Sequence, residues 1–305
     1  MPGTPLRTVS SRLACRKLEK GAGIPWNAQD VSGGRRLLPR FRPLKPSPDL
    51  MPPTSIDLNC DMGESFGAYK LGRDEEVMPL ISSANIACGF HAGDPGVMRR
   101  TVELAKRHGV GVGAHPGLPD LAGFGRRRMF VSPEEIRDIF TYQIGALRGF
   151  TDAAGVPLRH VKMHGALFEM ALADEALARA MCEATRSAGR DLIWLCPAGR
   201  AADVAREMGL PVAEEFYADR AYTPDKRLVS RSRPGAVLHD PIAVRARVAE
   251  VLETGEVATF DGGRVVLAFQ SICVHGDTPG AFEMVKAIRE ACAEKGIAVK
   301  PLGSG

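Results

Sequence analysis

The sequence predicts an α/β protein with a single closed parallel barrel, on three observations. From Ser55 onward, short β-like runs alternate with longer amphipathic segments, as in parallel sheets whose strands are joined by helical crossovers. The alternation reaches seven strands and about six helices with no linker near its midpoint, which favours one barrel over two domains. Strand after strand also ends in polar residues, although a strand covered on both faces ordinarily reads as uniformly apolar.

The first strand, 55–60, sets the pattern. Alternation puts Ile56, Leu58 and Cys60 on one side and Asp57, Asn59 and Asp61 on the other. Further strands are expected at 84–88, 110–114, 160–164, 192–196, 212–217 and 265–274, and helices at 95–108, 133–154, 174–188, 199–208, 241–253 and 279–295. Asp94-Pro95, Ser132-Pro133, Cys196-Pro197 and Asp240-Pro241 read as helix starts. Gly109, Gly155, Gly189, Gly209 and Gly296 stand where helices should stop. Two stretches without helical period read as long functional loops: 115–132, ending in Arg126-Arg127-Arg128, and 217–240, with Arg220, Lys226, Arg227, Arg231 and Arg233.

Residues 1–52 differ from the rest and are expected to be a disordered, basic Pro/Arg-rich extension, with 53–305 as the catalytic barrel domain. Residues 1–50 hold ten Lys and Arg against three acids, so the net charge of +4 becomes −3 over residues 51–305. The basic excess thus belongs to the extension, and no nucleic-acid face is expected on the barrel. Seven scattered cysteines without a CxxC pair suit reduced thiols and a cytoplasmic location. No apolar run approaches the roughly 18–20 residues that span a membrane.

Ligands of parallel α/β folds bind at the C-terminal ends of strands. There the sequence places His91 and Asp94, then His115 and Asp120, then His160, Lys162 and His164, then Glu214, Glu215, Asp219 and Arg220, and finally His275 and Asp277. Any one histidine could be a satisfied core residue, but four strands each offering His with Asp, Glu or Lys point to catalysis or metal binding. Other motifs fail. Gly63-Glu-Ser65-Phe-Gly67 matches a nucleophile elbow, yet no helix opens cleanly after it. Asp57-Leu-Asn59-Cys-Asp61 begins like an EF-hand loop, but Met62 and Ala68 occupy its required Gly and Glu positions. There is no P-loop, and His160 and His164 on one strand lie about 13 Å apart, too far to share a metal.

Six ordered motifs carry a resemblance: Asp57-Leu-Asn-Cys-Asp-Met-Gly-Glu64, Ala84-Asn-Ile-Ala-Cys-Gly-Phe-His-Ala-Gly-Asp94, Gly113-Ala-His-Pro-Gly117, Val161-Lys-Met-His-Gly-Ala-Leu167, Ala218-Asp-Arg-Ala-Tyr222 and Cys273-Val-His-Gly-Asp-Thr278. From about Ser55 to Leu302 the chain resembles the LamB/YcsF family, departing at Met163, Phe168-Glu169 and Leu118. The resemblance implies a (β/α)7 TIM-like barrel of the glycoside hydrolase/deacetylase kind. It also implies hydrolytic opening of 5-oxo-L-proline to L-glutamate with ATP and Mg2+, within a multi-subunit 5-oxoprolinase that includes subunits B and C.

Residue type and expected position then allot roles. Asp61, aided by Glu64, is the candidate base, Lys162 the cation for developing negative charge, and His164 the acid. Asn59, Asn85, Asp219, Arg220, His275 and Asp277 are candidate substrate or phosphate ligands. His91 and His115, with Asp61, are candidate ligands of a divalent metal. The alternative is a metal-dependent carbohydrate deacetylase or other amidohydrolase acting alone.

Overall fold

The computed structural model describes residues 53–278 and 280–303. The expected extension, 1–52, lies outside the described residues.

The strands are β1 (Ser55–Met62), β2 (Ser83–Ala87), β3 (Gly111–His115), β4 (Leu158–Lys162), β5 (Ile193–Cys196), β6 (Val212–Tyr217), β7 (Glu256–Ala258), β8 (Arg264–Val266), β9 (Ser271–Val274) and β10 (Ala298–Val299). β1 to β6 and β9 run parallel, each beside the next, and β9 returns to pair with β1, closing a seven-stranded barrel. β10 adds a short parallel pairing at the start of β1, while β7 and β8 form a separate antiparallel hairpin.

Helices α1 (Asp74–Val77), α2 (Pro95–His108), α3 (Pro133–Ala154), α4 (Ala166–Ala173), α5 (Glu175–Ala188), α6 (Arg200–Glu207), α7 (Pro241–Thr254) and α8 (Ala281–Glu294) complete the fold. Their starts are mostly chemical. The Asp94 carboxylate accepts the Val97 N–H at 2.9 Å, Ser132 and Glu135 make a reciprocal capping box, and Asp240 accepts from Ile242. Gly109 and Gly155 end α2 and α3 in the left-handed region.

The strand alternation decides the packing. Ile56, Leu58, Cys60 and Met62 join the core between barrel and helices, met by residues such as Ile136, Phe140, Ile144 and Leu147 of α3. Their spacing of four, four and three residues keeps them on one helix face. Trimming Phe140, which is fully buried, to Ala should cost about 3–5 kcal/mol. The opposite face of β1 turns inward, so the barrel interior is polar where such barrels are ordinarily filled with branched apolar side chains. Gly113 belongs to this design: a Cβ there would sit 2.1 Å from His160 Nε2.

Four expectations shift. The predicted strand 265–274 is split between β8 and β9, because ten extended residues would span about 33 Å and outrun a barrel whose longest strand has eight. The fourth strand runs 158–162 rather than 160–164, leaving His164 beyond its exit. Cys196-Pro197 starts no helix, since Cys196 is still in β5 and α6 begins after Gly199. The sequence reading also missed α4, an apolar segment without clear periodicity. Both predicted long loops stand, with only the short helical turn Leu121–Gly123 inside the first. Among the described residues, no helix is long and apolar enough to cross a membrane.

Candidate active site

The inward face of β1 organises the interior by depth. Asp57, deepest, accepts hydrogen bonds from Ser82 (2.7 Å), Ser83 (2.6 Å) and Ser271. Burial nonetheless raises its pKa above the ordinary carboxyl value. One layer up, the Asn59 amide donates to Ser271 at 2.7 Å, while its carbonyl oxygen accepts from Asn85 at 2.8 Å. Asn85 also donates to Asp61 at 2.8 Å and accepts from His160 Nε2 at 2.7 Å.

Lys162 sits at the centre of this network. Its Nζ lies 3.0 Å from Asp61, 3.1 Å from the Asn59 carbonyl oxygen, 3.0 Å from Cys273 Sγ and 3.3 Å from Glu215. Burial opposes the ammonium charge, but Asp61, Cys273 and Glu215 outweigh it and hold its pKa well above the ordinary lysine value. Burial likewise opposes ionisation of Asp61, and His115 and Lys162 overturn it, so the carboxyl is held well below its usual range. Glu215 is the main residue to which sequence reasoning, having placed it at the sixth strand exit, gave no role. The signal was available, because an outward, apolar Phe216 forces its neighbour Glu215 inward, where it also accepts from the Tyr217 hydroxyl at 2.8 Å.

Above this layer lies a second cluster. One ligand atom each from Glu64, His91, His115 and His164 fall within 4.8 Å of one another, and all four residues are buried. Hydrogen bonds orient two of the rings. His115 Nδ1 faces the Lys162 carbonyl at 2.8 Å and His164 Nε2 faces the Phe124 carbonyl at 2.7 Å. A carbonyl oxygen can only accept, so both of those nitrogens carry hydrogen. The remaining nitrogens, His115 Nε2 and His164 Nδ1, then confront each other at 3.0 Å. Two lone pairs at that distance repel unless a proton or a metal ion lies between them. His91 stacks on His164 with ring centroids 3.7 Å apart, and neither of its buried ring nitrogens has a hydrogen-bond partner. Three imidazoles and a carboxylate, one imidazole otherwise unsatisfied and two held by backbone carbonyls, fit a divalent metal such as zinc. Asp61, expected as the third ligand beside His91 and His115, falls outside this group: its carboxylate serves Lys162, 3.4 Å from His115 Nε2. Glu64 and His164 take the place in the set. The loop 115–132 roofs the cluster, and Gly125 makes the approach possible because a Cβ there would meet His91 at 2.7 Å and His164 at 2.9 Å.

On the far side, Asp219 is fully buried and faces His275 Nδ1 at 2.9 Å. Burial opposes its charge, but His275 overcomes this and keeps the carboxyl below its ordinary pKa. Asp61, Lys162, His164, Arg220 and His275 all line one cavity of about 530 Å3, reached at the C-terminal ends of the strands. Of the six expected ligands only Arg220 and His275 line the cavity: Asn59, Asn85 and Asp219 lie behind its wall, bonded to other side chains, and Asp277 is outside it too. It stands at the rim, ion-paired at 2.7 Å with Arg126 of the roofing loop.

The LamB/YcsF family model matches residues 56–304. A protein of Thermococcus onnurineus (strain NA1), named as the A subunit of 5-oxoprolinase, is 54% identical over 249 residues, 81% of this chain and 98% of that protein. Another so named, from Syntrophobacter fumaroxidans, is 51% identical over the same shares. The crystal structure of a lactam utilization protein from Thermus thermophilus superposes with a TM-score of 0.78 at 45% identity, covering 81% of this chain and 100% of that one.

Proposed function

The chain belongs to the LamB/YcsF family, and from that premise we propose that it is a hydrolase of a cyclic amide, the A subunit of a 5-oxoprolinase. In this reading it opens 5-oxo-L-proline to L-glutamate at the expense of ATP, together with subunits B and C. The names of relatives more than half identical over nearly their full length support the substrate. Within the structure one observation carries the reading: one small cavity is lined by an ionised Asp61, a buried Lys162 and a His275 that Asp219 holds from behind.

An unstrained lactam is a poor electrophile with a poor leaving group. ATP overcomes this if the lactam oxygen is phosphorylated, because water can then add to the ring carbon. The ring nitrogen departs as it takes a proton, and the acyl phosphate left behind is hydrolysed. Asp61 is ionised and fixed by Lys162 and Asn85, so it can orient the attacking water and accept hydrogen bonds from it. Lys162 stabilises developing negative charge at the cavity floor. His164 is poorly placed as the acid, since one ring nitrogen donates to Phe124 and the other faces His115. His275 suits that role better: Asp219 accepts its Nδ1–H, which leaves Nε2 to exchange a proton in the cavity.

A divalent metal held by Glu64, His91, His115 and His164 would supply Lewis-acid polarisation of an oxygen or an activated water. A second reading, an amidohydrolase acting alone, rests on the same cluster. One experiment separates the two. The full chain is assayed for glutamate release from 5-oxo-L-proline, alone and with its partner subunits, with and without ATP. Release only with partners and ATP supports the proposal; release by the chain alone without ATP favours the second reading; none under any condition refutes the proposal.

A further inference from the structure

The cavity wall opposite the histidine cluster comes from the loop after β6, which contributes Arg220, Leu228, Val229, Ser230 and Arg231. The other ammonium and guanidinium groups around the cavity are already matched: Lys162 with Asp61 and Glu215, Arg126 with Asp277. Arg220 is not. It is 7% exposed, its Nη2 donates to the Val229 carbonyl at 2.6 Å, and its buried Nε has no hydrogen-bond partner. The adjacent carboxylate, Asp219, is engaged by His275. Arg231 makes no close ion pair among the described residues either, although its charge reaches Asp219, and it stands near enough to Arg220 to depress the pKa of that guanidinium after burial has done so. Two neighbouring arginines, one of them buried, thus share a single nearby carboxylate, Asp219, which His275 already engages, and the surplus positive charge is unfavourable unless an anion joins them.

We propose that Arg220 and Arg231 form an oxyanion-reading wall of this cavity, and that Arg231 makes the site select ligands carrying a negatively charged group. The proposal deepens the 5-oxoprolinase reading and rests on it for the identity of the substrate. A guanidinium pair grips an oxyanion through paired N–H donors. Two sources share that chemistry: the α-carboxylate of the cyclic amide, and a phosphoryl group placed on it. Arg220 is anchored by Val229 and supplies the fixed half of the wall. Arg231, half-buried on the same loop, supplies the half that can adjust to the ligand.

The test is binding by the full chain, measured by calorimetry with L-5-oxoproline, its neutral carboxamide and inorganic phosphate, for the wild type and Arg231→Ala. Circular dichroism checks that the variant is folded, and Arg231→Lys asks whether charge without the planar fork suffices. Losing one charge-assisted contact should weaken the oxyanion ligand about tenfold. If the carboxylate is read, L-5-oxoproline loses that affinity in Arg231→Ala while the weaker carboxamide is unaffected. If the phosphoryl group is read, phosphate shows the loss and the two lactams do not. Either pattern supports the proposal. Equal affinity of every ligand for wild type and Arg231→Ala overturns it, as does failure of the wild type to bind either oxyanion. If phosphate binds in an Arg231-dependent way while the reconstituted complex never turns over 5-oxoproline, the oxyanion wall stands and the substrate reading falls.

Discussion

Replacing Lys162 by Met removes the charge at the centre of the barrel while keeping most of the side-chain volume. The ammonium touches four acceptors at 3.0–3.3 Å, two of them the buried carboxylates Asp61 and Glu215. Breaking a buried ion pair from one side costs about 3–5 kcal/mol, because the surviving charge is left without compensation. A domain of ordinary stability has about 5–15 kcal/mol in all, so Lys162→Met should remain folded but be visibly weakened. The urea midpoint reads this directly. Adding Glu215→Gln to Lys162→Met removes one uncompensated charge and should recover roughly half of the loss, while Glu215→Gln alone should cost less than Lys162→Met. Activity should not follow the recovery: glutamate release by the reconstituted complex should fall at least ~10²-fold in both Lys162 variants. An unfolding free energy for Lys162→Met, taken from the urea curve, within about 1 kcal/mol of wild type refutes the charge argument. Turnover within about threefold of wild type removes Lys162 from the chemistry.

Three further outcomes follow from the same geometry. His91→Ala should weaken divalent-metal binding at least ~100-fold, since even outer partners of a ligand are worth 10–100-fold; equilibrium dialysis with zinc measures it, and undiminished binding excludes the four-group site. His275→Ala should lower turnover at least ~10²-fold, and Asp219→Asn should also lower it by upsetting the imidazole tautomer that delivers a proton through Nε2; wild-type rates in both variants would move the acid elsewhere. Asp74, which accepts the Gly63 N–H at 2.8 Å, has its carboxyl pKa raised by burial from 3.8 to about 6. Its proton is held more tightly in the folded state, so its contribution to stability is complete below about pH 4 and is lost as pH rises through about 6. The loss is at most about 3 kcal/mol, and Asp74→Asn should flatten the urea midpoint over that pH range.

How much of this could be read in advance depended on period. The polar file Asp57, Asn59 and Asp61 was legible because β1 alternates strictly, and α2 and α3 were legible to the residue because Asp94, Ser132, Gly109 and Gly155 mark their ends chemically. The hairpin β7–β8 and the helix α4 were not, since the first depends on where the barrel wall ends and the second lacks a periodic apolar face. The members of the site were largely named, but not who stands beside whom. Sequence order cannot show that Glu64 turns towards three histidines from three other strand exits while Asp61, three residues earlier, turns towards Lys162. Glu215 and Arg231 were visible at a strand exit and in a long loop but took no role, for opposite reasons: one sits beside a second glutamate that faces Arg206, the other in a loop without any period.

In the proposed reaction Asp61, at the mouth of the barrel, directs water onto the lactam carbon. The most direct test of this is 13C NMR of 5-oxo-L-proline labelled at the ring carbonyl, in the reconstituted complex with ATP. With the wild type, the lactam resonance should give way to the side-chain carboxylate of glutamate; with Asp61→Asn, folded by circular dichroism, it should do so at least ~10²-fold more slowly. Ring opening by Asp61→Asn at the wild-type rate would remove Asp61 from the reaction, and no ring opening by the wild-type complex would remove the reaction itself.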